Sequence, residues 1–181
     1  TTRLVGSEMC IRDRILVVLL MLGGMNWFDS VCHAFATTGT GGFSTKQASV
    51  AYYNSPYIEY VISVFMFISG INFTLLLLFV NRKFKKVIDN AELKWYFWSV
   101  AGFTAIIAVV LYYTSPMGAE EAFRKSLFQV ISLHTSTGFA TDDYMLWTPV
   151  LWGLLTIVMV IGACAGSTTG GLKCIRMAVS Y

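Results

Sequence analysis

The sequence predicts an all-α membrane protein, and three observations support this fold class. Of the 181 residues, 56% are hydrophobic and only 13% are charged, whereas soluble domains usually contain about 45–50% apolar and about 25% charged residues. Several apolar stretches approach or exceed the roughly 20 residues that cross a bilayer. Two polar loops, 40–45 and 136–141, share the ending Gly, Phe, a small residue and Thr, and they lie 96 residues apart. The pattern predicts two tandem repeats of helix, short re-entrant helix, loop and helix.

The first 14 residues are set apart from this pattern. Residues 1–14 are charged and unpatterned, and they precede an apolar run without a cap or turn. They lack the continuous apolar core and the cleavage site of a signal peptide. We interpret them as a non-native or artefactual start that replaces native sequence, with a genuine cytosolic N-terminus as the alternative, and we exclude them from the fold prediction.

The first repeat is predicted over residues 15–80. The apolar run Ile15–Met25 is too short to cross a bilayer and resembles a truncated spanning helix. The segment Trp27–Thr37 predicts a short helix with Asp29 and Ser30 as N-terminal caps. After the Gly/Thr loop and a polar turn, Tyr57–Val80 predicts one continuous spanning helix.

The second repeat is predicted over residues 95–181, after a basic loop at 81–94. Leu93–Tyr113 predicts a spanning helix, and Ala119–Leu133 predicts a short helix whose first-turn acids suit its dipole. The run Met145–Ala165 is apolar again and leads into a Gly-rich segment. The basic loop predicts the cytoplasmic side, which places both Gly/Thr loops on the outer side.

The two Gly/Thr loops form the candidate ion-binding site. Gly allows backbone conformations that turn carbonyls toward a common point, and rings of carbonyls replace the hydration shell of a monovalent cation. Each short helix also directs the partial negative charge of its C-terminal end toward the path. Plain helix-capping turns are the alternative. The candidate residues are Thr38, Gly39, Thr40, Gly41, Gly42, Thr135, Ser136, Thr137 and Gly138.

The Gly-rich segment 162–171 predicts an interruption of a helix, because each Gly disfavours a helix by about 1 kcal/mol. A helix-packing face built from small residues is the alternative. The polar and Gly residues of this segment are Gly162, Gly166, Ser167, Thr168, Thr169, Gly170 and Gly171.

Other notable residues receive simpler interpretations. Asn72 is either a polar group near the pore or an interhelical hydrogen-bond partner. His33 and His134 are interpreted as packing or capping groups rather than metal ligands. Lys173 and Arg176 are interpreted as anchors on the cytoplasmic side, with contact to anionic lipid as a less favoured role.

Two other classes of function were weighed. The net charge is only +3 and the basic residues cluster in one loop, so nucleic-acid binding is not expected. A nucleotide-binding enzyme is disfavoured because neither Gly-rich loop has a P-loop or dinucleotide-binding pattern. We therefore expect no enzyme activity and no tightly bound cofactor.

Four segments closely resemble one known family. They are Phe28–Thr37, Gly42–Thr45, Ser69–Phe73 and Gly162–Lys173. They resemble the TrkH family, the membrane subunits of Trk-type bacterial potassium uptake systems in the Trk/Ktr/HKT superfamily. The resemblance covers nearly everything after Ile15. It implies four helix–pore-helix–helix repeats around one pore, of which this chain contains the middle two.

The resemblance also implies roles and partners. Gly42 and Gly138 would be filter glycines, the segment 162–171 would be an intramembrane gate, and K⁺ would be the transported ion, bound only at the filter residues. The protein would lie in the bacterial inner membrane as a homodimer and bind a cytosolic, nucleotide-binding regulatory subunit. Gly39, Thr40 and Thr169 depart from the family pattern as we know it. A non-conducting membrane scaffold is the alternative function.

Overall fold

The regular elements are helices throughout the residues that the structure describes, which confirms the predicted fold class. The computed structural model describes residues 2–80, 87, 89–143, 147–164 and 167. In chain order the elements are α1 (Thr2–Leu22), α2 (Trp27–Thr38), a 3₁₀ helix (Ser49–Tyr53), α3 (Pro56–Ser69), α4 (Phe73–Val80), α5 (Ala91–Thr114), α6 (Ala119–His134) and α7 (Pro149–Val160).

The helices follow the predicted tandem order. In the first repeat α1 packs on the short helix α2, and in the second repeat α5 packs on the short helix α6. Both short helices have nearly the predicted bounds, and their last residues, Thr38 and His134, lie 96 positions apart. Helix α6 also packs on α3 and α7, so it joins the two repeats.

Within the described ranges, α5 is the one helix that is long and apolar enough to cross a membrane by itself. Its start is well defined, because the Asn90 side chain accepts hydrogen bonds from the N–H groups of Glu92 and Leu93. Helices α3 and α7 are shorter and apolar. Both begin with Pro, whose missing N–H is harmless in the first turn.

The prediction of one continuous helix over Tyr57–Val80 is wrong. Helix α3 ends at Ser69, and α4 begins at Phe73. The Asn72 side-chain oxygen accepts a hydrogen bond from the Thr74 N–H at 2.9 Å, which is the action of a helix N-cap. Asn72 therefore starts α4, and the roles predicted for it near the pore or between helices stay predictions.

The apolar run predicted over Met145–Ala165 forms a shorter helix. Helix α7 begins at Pro149 and ends at Val160, and Ile161 has extended angles (φ −78°, ψ 92°). Residues 144–146 lie outside the described part of the chain. The helix thus ends two residues before Gly162, and residues 162–164 are not helical. The interruption predicted over 162–171 as a whole stays a prediction.

Helix α1 runs through the segment that we interpret as non-native and into the apolar run after it. A helix of this kind does not distinguish native from foreign sequence, so the origin of residues 1–14 and the proposed repeat boundaries stay predictions. The basic residues Arg82, Lys83, Lys85 and Lys86 lie outside the described residues, and the orientation that they predict also stays a prediction.

The packed interior lies where the two repeats meet. Ile62 and Met66 of α3, Tyr96 and Ile107 of α5, and Phe128 of α6 are fully buried. Large apolar side chains elsewhere on α5 are exposed, including Trp98 and Tyr113. This interior packs α6 against α3 and α5, while α5 presents an apolar outer face.

Candidate functional site

Both short helices end in the same backbone arrangement. In each, three successive N–H groups after the helix donate hydrogen bonds to carbonyls of its last turns, with N···O distances of 2.8 to 3.3 Å. The sequence separations between donor and acceptor are the same in both loops. These bonds include the pair that defines a Schellman motif. The donors are Gly39, Thr40 and Gly41 in the first loop and Thr135, Ser136 and Thr137 in the second. Helix caps are therefore present, and the predicted duplication extends to the backbone hydrogen bonds.

Each loop has two left-handed residues. Thr40 has a φ of 50° and Ser136 a φ of 55°, at the position of the cap that Gly normally occupies. Gly42 (φ 65°) and Gly138 (φ 85°) follow two residues later. A left-handed conformation is uncommon for any residue with a Cβ and is an outlier for a β-branched one. Strain of this kind, of order 1–3 kcal/mol, persists where the surroundings hold the backbone, often at functional sites.

The two loops contact each other at Gly42. A Cβ at this position would overlap the carbonyl oxygen of Thr137 and lie 3.2 Å from the carbonyl carbon of Gly138. Nearby, the Ala140 N–H donates to the Ser49 hydroxyl at 3.3 Å. The structure therefore brings the two groups of predicted site residues together.

The hydroxyl groups of the loops are turned toward their own helices. Thr38 donates to the Ala34 carbonyl at 3.0 Å, and Thr135 donates to the Ile131 carbonyl at 2.8 Å. The Thr135 and Thr137 hydroxyls lie 2.7 Å apart, and all three threonines are buried. The predicted site residues that are exposed are Gly39, Gly41, Ser136 and Gly138. The buried hydroxyls thus support the loops, and the backbone of the small residues is what the loops expose.

A carboxylate fixes the far end of the first loop. The prediction that Asp29 and Ser30 cap α2 is wrong, since both lie inside the helix. The Asp29 carboxylate instead accepts hydrogen bonds from the hydroxyls of Thr45 at 2.7 Å and Tyr53 at 2.9 Å. The Lys46 ammonium lies 3.6 Å from it. Asp29 therefore ties the start of the short helix to the chain that leaves the loop.

These contacts set the charge states of the two acids involved. The hydrogen bond from Thr45, followed by that from Tyr53, lowers the pKa of Asp29 below its ordinary value of 3.8. Burial, followed by the hydrogen bond to Asp29, raises the pKa of Tyr53 to about 12. At neutral pH the carboxyl is therefore ionised and the phenol keeps the proton that it donates.

His33 joins the first loop to the second. Its Nδ1 lies 2.7 Å from the Asp29 carbonyl oxygen, and its Nε2 lies 2.9 Å from the Ser44 hydroxyl. The ring stacks on Phe139, with centroids 5.7 Å apart. Phe139 is itself fixed, because the Ser132 hydroxyl donates to its carbonyl at 2.7 Å.

His134 has a similar packing role in the second repeat. It is buried, its Nε2 lies 3.1 Å from the Ser99 hydroxyl, and its ring stacks on Tyr96 with centroids 5.4 Å apart. No group of three or more potential metal-ligating side chains occurs among the residues that the structure describes. Both histidines thus stack on aromatic rings and hydrogen-bond to neighbouring groups, as packing groups do.

A buried ion pair connects the repeats on the side of α3. The Arg124 guanidinium of α6 pairs with the Glu59 carboxylate of α3, and these side chains are only 11% and 5% exposed. Arg124 also lies 3.1 Å from Glu120, which accepts a hydrogen bond from Tyr60 at 3.0 Å. Sequence reasoning missed this pair, because no pattern in the sequence relates residues 65 positions apart.

Of the predicted gate residues, the structure describes Gly162 and Ser167. The Ser167 hydroxyl donates to the Cys164 carbonyl at 2.6 Å, and the Cys164 N–H donates to the Gly70 carbonyl at 3.2 Å. The other predicted gate residues and the two basic residues after them lie outside the described part of the chain. They are Gly166, Thr168, Thr169, Gly170, Gly171, Lys173 and Arg176.

The C-terminal ends of the two short helices carry loops that meet. Two helix C-terminal ends, each with partial negative charge, support loops whose backbones meet at Gly42 and Thr137. Backbone carbonyl oxygens are the ligands that filters for monovalent cations use. Short helices that end in paired loops between longer apolar helices define a membrane protein built from pore-helix repeats.

The comparisons with known proteins give the family. Residues 10–181 match the family model of TrkH, described as a cation transport protein. The chain belongs to this family. The family consists of transport proteins, which confirms the expectation that the chain is not an enzyme and agrees with a location in the bacterial inner membrane.

Individual relatives support the assignment. The chain is 37% identical to the Trk system potassium uptake protein TrkH of Halomonas elongata over 158 residues, which are 87% of this chain and 33% of that protein. It is also 37% identical to the protein of the same name from Escherichia coli K12 over 164 residues, with 90% and 34% covered. The chain therefore spans about a third of the length of these relatives.

The fold agrees with a solved structure. The chain matches the crystal structure of the potassium transporter TrkH from Vibrio parahaemolyticus with a TM-score of 0.88 and 34% sequence identity. The match covers 93% of this chain and 37% of that one. The likeness supports the pore-helix repeats that the tandem loops predict.

Proposed function

We propose that the full-length protein containing this chain takes up potassium ions across the bacterial inner membrane through a filter of backbone carbonyls. The observation that carries this proposal is the contact between Gly42 and Thr137, which brings two loops of identical backbone geometry together at the ends of two helices. The names of the relatives, which are potassium uptake proteins, supply the identity of the ion.

In this proposal the exposed backbone of each loop contributes one side of the filter. Thr40, Gly42, Ser136 and Gly138 set the direction of the carbonyls through their left-handed angles. The hydroxyls of Thr38 and the other buried threonines hold the loops in shape rather than replace the carbonyls as principal ligands. The first and fourth repeats, which the family resemblance implies, would complete the ring.

The Gly-rich segment 162–171 is proposed as the gate below the filter. Helix α7 ends at Val160, and the buried residues Ala163 and Cys164 continue in a non-helical conformation. Non-helical backbone at membrane depth is stable where protein or a water-filled path satisfies it. A segment of this kind beside a pore can obstruct or clear the path.

The proposed assembly follows the family resemblance. The full-length protein would form a homodimer, contact membrane lipid through apolar faces such as that of α5, and bind a cytosolic nucleotide-binding subunit. The exposed Trp98 and Tyr113 support lipid contact, since such side chains favour membrane interfaces.

Potassium uptake by the full-length protein tests the proposal. The protein is expressed in bacteria that lack their own potassium uptake systems, and uptake is measured with Gly42→Ser as the matched variant. We expect uptake that prefers K⁺ to Na⁺, and a weaker preference in the variant because the added side chain displaces the Thr137 carbonyl. A protein that reaches the membrane but carries no K⁺ would support the scaffold alternative. Residues 1–181 alone should not conduct, since two repeats provide only part of a ring.

A further inference from the structure

Gly70 lies at the break between α3 and α4, next to both the second loop and the Gly-rich segment. Its carbonyl accepts a hydrogen bond from the Cys164 N–H at 3.2 Å. Cys164 is fully buried and lies two residues after Gly162, where the proposed gate begins. The break in the first repeat therefore directly contacts the start of the gate segment in the second.

The other side of Gly70 is closely packed. A Cβ there would overlap the Tyr96 hydroxyl and lie 2.9 Å from Tyr96 Cζ and 3.1 Å from Thr135 Cγ2. The backbone itself does not require Gly, because its φ of −75° suits any residue. The packing is thus what excludes a side chain at this position.

The neighbours of Gly70 cannot easily move away. Tyr96 is fully buried, its hydroxyl donates to the Phe67 carbonyl at 3.2 Å, and its ring is stacked between Phe67 and His134. Thr135 is also fully buried and donates to the helix that bears it. An added methyl group at position 70 would therefore displace the Gly70 backbone and the carbonyl that binds Cys164.

We propose that Gly70 is a positioning residue that holds the start of the gate segment, residues 162–164, against the helix bearing the second filter loop. Its carbonyl fixes the backbone at Cys164, and its missing side chain lets α3 approach Tyr96 and Thr135. This inference rests on the proposed function, which assigns the filter to Thr135 and its neighbours and the gate to 162–171. Movement of residues 162–164 then requires loss of the Gly70–Cys164 hydrogen bond.

The buried thiol of Cys164 provides a direct test. In the full-length protein, every cysteine except Cys164 is replaced by serine, and the rate of modification by N-ethylmaleimide is measured with and without Gly70→Ala. We expect about a tenfold faster modification in the variant, the effect of losing one backbone hydrogen bond. Gly102→Ala is the matched control, because a Cβ at Gly102 would meet nothing within 4 Å, and it should react at the original rate.

A second variant covers the case in which Gly70→Ala does not accumulate in membranes. Tyr96→Phe removes the hydroxyl that donates to Phe67 without adding any atom, so it loosens the same break. We expect about a threefold faster modification of Cys164, as for the loss of a weak hydrogen bond. Modification at the original rate in this variant would then overturn the inference.

Channel activity separates this inference from the proposed function. We expect Gly70→Ala to change the open probability while the ratio of K⁺ to Na⁺ permeability is retained. If Cys164 in the Gly70→Ala variant is modified at the original rate, the inference is overturned whatever the flux. If modification is faster but the open probability is unchanged, the inference is also overturned, because the segment is then not the gate. Absence of K⁺ flux from the unmodified protein overturns the proposed function, while the modification rates still report the Gly70 contact.

Discussion

Gly42 lies against Thr137 so closely that a Cβ at Gly42 would overlap the Thr137 carbonyl oxygen. Gly138, the equivalent residue 96 positions later, has the same left-handed conformation, but a Cβ there would meet nothing within 4 Å. Two residues that are equivalent in sequence and backbone therefore differ in packing. Gly is required at 42 by both conformation and space, and at 138 by conformation alone.

This difference predicts unequal effects of alanine at the two positions in the full-length protein. At either glycine, alanine introduces backbone strain of order 1–3 kcal/mol. At Gly42 it also displaces a carbonyl of the opposite loop. We expect Gly42→Ala to lose most of the preference for K⁺ over Na⁺ and Gly138→Ala to retain more of it, as measured by relative permeability.

The pair serves as its own control, since the chemical change and the sign of φ are the same. Equal loss of selectivity in both variants would show that backbone conformation alone sets the filter. A larger loss at Gly138 would contradict the packing that the structure shows.

Sequence reasoning was most successful where a pattern repeats. The ends of α2 and α6 could be predicted because Gly, Thr and apolar residues recur at one offset, and the chain must reverse after each short helix. The repeat did not reveal that Thr40 and Ser136, rather than Gly, take the left-handed position of each cap. Which residue takes this conformation depends on the packing around each loop, and local sequence preferences do not predict that packing.

The errors share a different cause. The apolar flanks of Asn72 predict that it lies inside a helix, although its side chain competes for backbone N–H groups and starts a new helix. Asp29 was interpreted as a cap because its local position suits one, but its partners lie 16 and 24 residues away. Contacts over such separations depend on the folded chain and leave no periodic signal in the sequence.

The Asp29 contacts predict a specific loss of stability. Asp29→Asn removes the charge that strengthens the hydrogen bonds from Thr45 and Tyr53, and bonds to charged groups contribute about 1.5–3 kcal/mol. We expect a lower unfolding temperature of the full-length protein in detergent and looser packing of the first loop. Lys46→Met is the control, because the Lys46 side chain is 35% exposed and its ammonium lies 3.6 Å from the carboxylate, and a partly solvated pair of this kind contributes only about 0–1 kcal/mol. Equal destabilisation by the two changes would show that the ion pair between Asp29 and Lys46, rather than the hydrogen bonds, matters.

The lowered pKa of Asp29 predicts how stability depends on pH. Because folding lowers this pKa below 3.8, the ionised carboxyl stabilises the folded state fully above the pKa of the unfolded chain. That contribution is lost as the pH falls through the pKa of the folded state. We expect the difference in unfolding temperature between the unmodified protein and Asp29→Asn to be constant from neutral pH to about pH 5 and to shrink below about pH 4. A difference that shrinks near neutral pH would contradict this assignment.

The buried pair of Glu59 and Arg124 predicts non-additive effects of substitution. Removing one partner, in Glu59→Gln or Arg124→Met, leaves the other charge buried, and such changes cost about 3–5 kcal/mol. Removing both in one variant leaves no unpaired charge at this site, so we expect it to recover much of the lost stability. The measurement is a double-mutant cycle of unfolding free energies on the full-length protein in detergent.

Glu120→Gln is the control, since Glu120 also contacts Arg124 but is 63% exposed, and its loss should cost less than about 1 kcal/mol. Additive losses in the double variant would mean that the two side chains do not act as a pair and that other contacts join α3 to α6.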